Sequence, residues 1–125
     1  MNTNQDQADS NNRSFAQNMG LDEIVRLTNT IGIEYAEAKA ELERLELMRP
    51  VKKAEIAIRL DDGTFSETKL KRLTESDPSY TEFINVLCKA KAEAEKLRVR
   101  YDSYKSLFEA KRSMMSYHKA EMKLI

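Results

Sequence analysis

Seven cations stand close together in the middle of the chain: Arg49, Lys52, Lys53, Arg59, Lys69, Lys71 and Arg72. Side chains of this type neutralise phosphates, and counterion release then favours a nucleic-acid backbone whatever its base sequence. The competing reading is an ordinary solvated face, which charge alone does not separate from a phosphate-binding one. Rings that stack on unpaired bases accompany such patches in single-strand binders. Tyr101, Tyr104, Phe108 and Tyr117 are available for that role, although the first three recur at helical spacing, which makes packing their other role.

Other chemistry is sparse. The sequence holds no Ser/His/Asp arrangement, paired metal motif, phosphate-cradling glycine loop or dinucleotide turn. The single histidine, His118, falls on an apolar helical stripe and reads as a packed or interface residue, with a ligand or pH switch as the alternative. Cys88, the lone cysteine, follows the apolar Leu87 in a helical pattern and reads as a buried or half-buried inert thiol rather than a nucleophile. One cysteine makes no internal disulfide, which fits a reducing compartment. Asp61, Asp62 and Gly63 suggest a calcium loop, but the spaced ligands and closing bidentate Glu are missing, so the reading is a turn. The expectation is a protein that is not an enzyme and carries no cofactor or metal.

The composition says what must position these side chains. The chain has 125 residues, 34% of them charged and 41% hydrophobic, with 3 Gly, 2 Pro and no Trp. That is one small domain, and the scarcity of turn residues beside abundant Ala, Glu, Lys and Leu predicts an all-α fold. No apolar run approaches the roughly 20 residues a membrane helix needs, and the first residues are polar, unlike a signal peptide. The expectation is a cytoplasmic protein with no membrane partner.

Residues 1–21, rich in Asn, Gln, Asp and Ser, predict a disordered polar tail, because they hold too few apolar groups to offset ordering entropy. Residues 22–125 form the expected helical hairpin and oligomerisation domain. Asp22 is the predicted cap of a first helix whose stripe runs Ile24, Leu27, Ile31, Tyr35, Ala38, Leu42 and Leu45. Arg49 and Lys52 take the next two stripe positions, before Ile56 and Leu60 resume it. Pro50 predicts a kink near residues 46–50, without requiring a break. Gly63 supplies the left-handed turn after the helix, and Thr64 with Glu67 predicts a capping box for a short helix through Leu70 and Leu73.

Asp77 and Pro78 then open a second long helix. Its stripe alternates steps of three and four from Tyr80 through Leu87, Ala94, Tyr101, Phe108 and Met115 to Ile125, a sustained heptad. Two long helices joined by a turn and a short helix predict an antiparallel, coiled-coil-like hairpin. Its core is narrow, and Leu107 and Met114 widen the stripe beside Phe108 and Met115. A wide stripe needs more than one neighbouring helix, so the reading is a homo-oligomer held by Tyr101, Tyr104, Leu107, Phe108, Met114, Met115, His118 and Met122.

Charge is neutral in total and uneven in place. Residues 1–48 carry 4 basic and 9 acidic side chains, residues 49–73 carry 7 and 4, residues 74–95 carry 2 and 5, and residues 96–125 carry 8 and 3. The blocks are therefore −5, +3, −3 and +5.

In the order of these parts and in a few stretches, the chain resembles the UvsY-type recombination mediators of tailed phages. The stretches are the basic segment VKKAEIAIRL ending at Leu60, the short helix KLKRL, the helix start DPSY, and YDSYKSLFEAKRSMMSYHKAEM in the last helix, together spanning about residues 30 to 125. The resemblance implies a ring-forming helical accessory protein. It would bind single-stranded DNA, help displace the single-strand binding protein and load a RecA-like recombinase in the host cell cytoplasm, without covalent chemistry. By position it puts DNA contacts on Lys52, Lys53 and Arg59, and oligomerisation on the seam through Phe108, Met115 and Met122. Ala57, two residues before Arg59, stands where the family pattern has a lysine. The alternative function is a coiled-coil scaffold that binds only protein.

Overall fold

The computed structural model describes residues 20–124. The predicted tail lies outside them up to residue 19, as does Ile125 at the end of the expected seam. Three helices make up the fold: α1 (Leu21–Leu60), α2 (Glu67–Ser76) and α3 (Pro78–Lys123). The all-α expectation holds, with two long helices and a short one between them.

Each helix begins where a local group takes up its first amides. Leu21 opens α1 and the Gly20 carbonyl accepts the Ile24 amide at 3.0 Å, so Asp22 is not the cap expected of it. It lies instead in the first turn with Glu23, where a carboxylate is favoured by the positive end of the helix dipole. The Thr64 capping box is also replaced. Ser66 is the N-cap of α2 and its hydroxyl accepts the Lys69 amide at 3.2 Å. Thr64 is engaged one turn earlier, donating its amide to Asp62 Oδ1 at 2.9 Å. At the start of α3, Asp77 caps as predicted, its Oδ2 accepting the Ser79 amide at 2.9 Å.

Pro50 lies inside α1, which runs unbroken through it. A proline there removes the amide that would bond the Glu46 carbonyl. Residues 46–51 are all exposed, so water can reach the orphaned carbonyl, which keeps the cost of continuing the helix low. Past Leu60, Gly63 takes φ +84°, the left-handed conformation that glycine reaches without a Cβ penalty.

The chain divides into two compact units, one of Met1–Ile33 with Arg98–Ile125 and one of Glu34–Leu97. In the Glu34–Leu97 unit the buried residues are Leu45, Ile56, Thr74, Leu87, Ala94 and Leu97, supplied by all three helices. Thr74 satisfies its hydroxyl within α2, donating to the Leu70 carbonyl at 2.8 Å. Here Lys53 meets Tyr80 and the later Arg59 meets the earlier Asp77, so α1 and α3 run antiparallel. Burial falls on the predicted stripe: Leu45 and Ile56 are buried, Ala38, Leu42, Lys52 and Leu60 are half-buried, and only Arg49 is exposed.

In the other unit Ile24 is fully buried, and Leu27, Ile31, Tyr101, Tyr104, Leu107 and Phe108 are half-buried. At Gly32, α1 lies close against α3 in this unit. A Cβ built there would lie 2.9 Å from Tyr101 Cε2, so the ring fills the space a side chain would need. Lys105 Nζ lies 4.6 Å from the centre of the same ring. Glycine costs about 1 kcal/mol against alanine in a helix interior, and here the aromatic contact offsets it.

Gly32→Leu is therefore expected to lower the unfolding free energy by about 1–3 kcal/mol in urea titration, the usual range for overpacking. Combined with Tyr101→Ala, the loss should be smaller than the sum of the two single changes. Additive losses would mean that the ring does not occupy the space in front of Gly32.

Candidate nucleic-acid interface

All seven central cations belong to the Glu34–Leu97 unit, on α1 or on α2. Their side chains fall into two groups. Two of them are tied to acids. Arg59 Nη2 lies 2.8 Å from Asp77 Oδ2, and Lys53 Nζ lies 3.4 Å from Glu75 Oε1. Lys53 also sits 5.5 Å from the centre of the Tyr80 ring.

These pairs join the end of α1 to the α2–α3 junction. Asp77 accepts from both Arg59 and the Ser79 amide while its side chain is only 10% exposed. The Arg59 guanidinium, helped by the Ser79 hydrogen bonds, holds its carboxyl below the usual aspartate range against the opposing effect of burial. A positive side chain in the last turn of a helix is also favoured by the negative end of the dipole. Arg59 therefore has two structural roles besides the expected phosphate contact.

Arg49, Lys52, Lys71 and Arg72 form the second group, with no ion pair among the described residues. Arg49, Lys71 and Arg72 are exposed, and Lys52 is half-buried at its seam position. Lys69 stands between the groups: its ammonium lies 5.0 Å from the centre of the Phe65 ring. It also lies near enough to Asp62 to help depress that carboxyl, whose main influence is the Thr64 hydroxyl.

A groove of about 410 Å³ separates α1 from α2 in this unit. Its floor is Ala54, Ala57, Leu70 and Thr74, and its rim carries Lys53 and Lys71 against Glu67 and Glu75. The groove thus brings two of the seven cations together but is balanced in charge. Arg49, Lys52, Arg59, Lys69 and Arg72 do not line it. The acidic partners Glu75 and Asp77 escaped the sequence reading because each meets its cation across the α1–α2 turn, 22 residues away for Glu75.

The Asp61–Asp62–Gly63 segment directs its carboxylates inward on itself. Asp61 accepts the Gly63 amide at 3.0 Å and Asp62 accepts the Thr64 amide, the arrangement of a turn. Among the described residues no group of three or more His, Cys, Asp or Glu side chains is placed to hold a metal ion. Cys88 is exposed rather than buried or half-buried as expected. Among the described residues no helix is long and apolar enough to cross a membrane.

The eight residues expected to hold an oligomer also separate. Tyr101, Tyr104, Leu107 and Phe108 are half-buried within the chain, whereas Met114, Met115, His118 and Met122 are exposed. Of the four rings considered for base stacking, Tyr117 alone is exposed, 6.3 Å from the His118 ring and at a steep angle to it. His118 Nδ1 lies 3.7 Å from Glu121 Oε2.

No protein-family model, curated protein or solved structure matches this chain.

The Asp77 pair gives stability a defined pH dependence. A carboxyl whose folded pKa is depressed stabilises fully above its unfolded value, and that contribution disappears as pH falls through the usual aspartate range to the depressed value. Asp77→Asn keeps a capping oxygen and removes the ion pair. The variant should melt below the parent at pH 7, and the gap should close as the pH is lowered through and beneath the aspartate range. A gap that stays constant in acid would show that the carboxylate charge contributes nothing.

Proposed function

We propose that this chain is a recombination mediator: a self-assembling helical protein that binds single-stranded DNA and promotes loading of a RecA-like recombinase onto strands covered by single-strand binding protein. The observation that carries the DNA-binding part is the set of cations without acidic partners, Arg49, Lys52, Lys71 and Arg72, in one unit of the fold. An exposed guanidinium or ammonium with no internal partner keeps its attraction for phosphate, whereas a paired one must first give up its carboxylate. The mediator part rests on the resemblance in element order and charge placement described above. Nothing in this role requires covalent chemistry, so the protein acts by binding alone.

A scaffold that binds only protein is the second reading, favoured by the exposure of Met114, Met115 and Met122. The two differ in one measurement, the affinity for a fluorescent single strand across a salt series. Steep weakening with salt supports DNA binding, because the slope counts neutralised phosphates. No binding at low salt leaves the scaffold.

Changing Arg49, Lys52, Lys71 and Arg72 together to Ala should weaken single-strand binding. It should also flatten the slope of log affinity against log salt, by up to about 0.7 for each phosphate that is no longer neutralised. Lys53→Ala with Arg59→Ala should mainly lower the melting temperature, since those cations hold Glu75 and Asp77. If the double variant flattens the salt slope and the quadruple variant does not, phosphate binding has been assigned to the wrong group of cations.

A further inference from the structure

Two apolar stripes remain uncovered among the described residues. On α1, Leu47, Val51 and Ile58 follow one another at steps of four and seven and are exposed, Leu47 at 78% and Ile58 at 79%, with Ala54 between the last two at the edge of the groove toward α2. At about 100° per residue these four fall in an arc of about 60° on the side of the helix opposite the buried Ile56. This half of α1 thus has a seam facing α3 and a second seam facing outward. On α3, the heptad continues past Phe108 through Lys111, Met115, His118 and Met122 with Met114 beside it, and Met122 is 77% exposed.

The two stripes match in length and differ in charge. Leu47 to Ile58 and Lys111 to Met122 each advance eleven residues, a rise of about 17 Å. Glu43 and Glu55 flank the α1 stripe, one on each side, and neither has an ion pair among the described residues. Arg44, the cation nearest that face, is already held by Glu41 at 2.6 Å. Along the α3 stripe, Arg112 and Lys119 share one flank and are likewise without ion pairs among the described residues.

Pairing two α3 stripes is unfavourable. Two α3 stripes laid antiparallel bring the Arg112 and Lys119 flanks against each other, and laid parallel they put Lys111 opposite Lys111 in the seam. The α3 stripe on the α1 stripe joins apolar residue to apolar residue and sets Arg112 and Lys119 along one acidic edge, while Glu121 on the other flank stays beside His118 of its own helix.

We propose that the last third of α3 in one copy docks on the outward stripe of α1 in a second copy. Such an interface uses two different patches, so it repeats head to tail from copy to copy until the assembly closes or continues as a filament. It rests on the self-assembly included in the function proposed above, and specifies which surfaces meet.

The test pairs two variants of the full chain, Leu47→Asp with Ile58→Asp, and Met115→Asp with Met122→Asp. All four positions are exposed, and circular dichroism checks that helicity is kept, with Gln in place of Asp should either pair reduce it. Light scattering at micromolar concentration is expected to find the parent assembled and each variant monomeric. An equimolar mixture of the two should form a species of twice the 14.4 kDa chain mass, because one intact stripe of each kind remains. A monomeric parent overturns self-assembly and this interface together. An assembled parent whose α1 variant stays assembled, or whose folded variants stay monomeric when mixed, overturns this interface and leaves self-assembly standing.

Discussion

Everything in this fold depends on a seam one side chain deep. Two long helices and one short one bury few of the described residues: Ile24 in one unit and Leu45, Ile56, Thr74, Leu87, Ala94 and Leu97 in the other. A fully buried Leu or Ile contributes about 1.5–3 kcal/mol, and the half-buried remainder of the seam contributes less. Such a core leaves little margin for a misplaced cap or a clash. The close approach at Gly32 and the pairs at Asp77 and Glu75 therefore matter more here than in a thicker domain.

The seam was legible in the sequence because a helix repeats its facing positions at steps of three and four, and burial follows those steps through Ile24, Leu45, Ile56, Leu87 and Leu97. The helix starts were harder to read. Thr64 and Ser66 are both good caps two residues apart, and the choice between them is made by Asp62, whose turn engages Thr64 first. The expectation that Asp22 caps α1 failed for a related reason: an acid in the first turn is as well placed as an acid at the cap.

The candidate site was half legible. That the middle of the chain is basic can be counted, but which cations are engaged depends on the chain reversing after Leu60, which sets Glu75 and Asp77 against Lys53 and Arg59. The second stripe of α1 was present in the spacing of Leu47, Val51, Ala54 and Ile58, yet hidden by the stronger stripe on the opposite face. A helix with two seams reads as uniformly mixed unless each face is followed separately.

Overall neutrality does not weaken an electrostatic role for this chain. Along α1, Glu34 and Arg59 are separated by a rise of about 38 Å, several times the screening length of about 8 Å at physiological salt. The acidic block before Arg49 and the basic block after it are thus felt separately by a charged partner, each through its own few nearest side chains. Within the basic block the same distance rule operates on a finer scale. Asp77 at 2.8 Å and Glu75 at 3.4 Å cancel the fields of Arg59 and Lys53 locally, while the charges of Arg49, Lys71 and Arg72 still face solvent. An anion approaching this unit meets the exposed, unpaired cations first, so the acidic side chains that tie down α2 also determine which positive charges face outward.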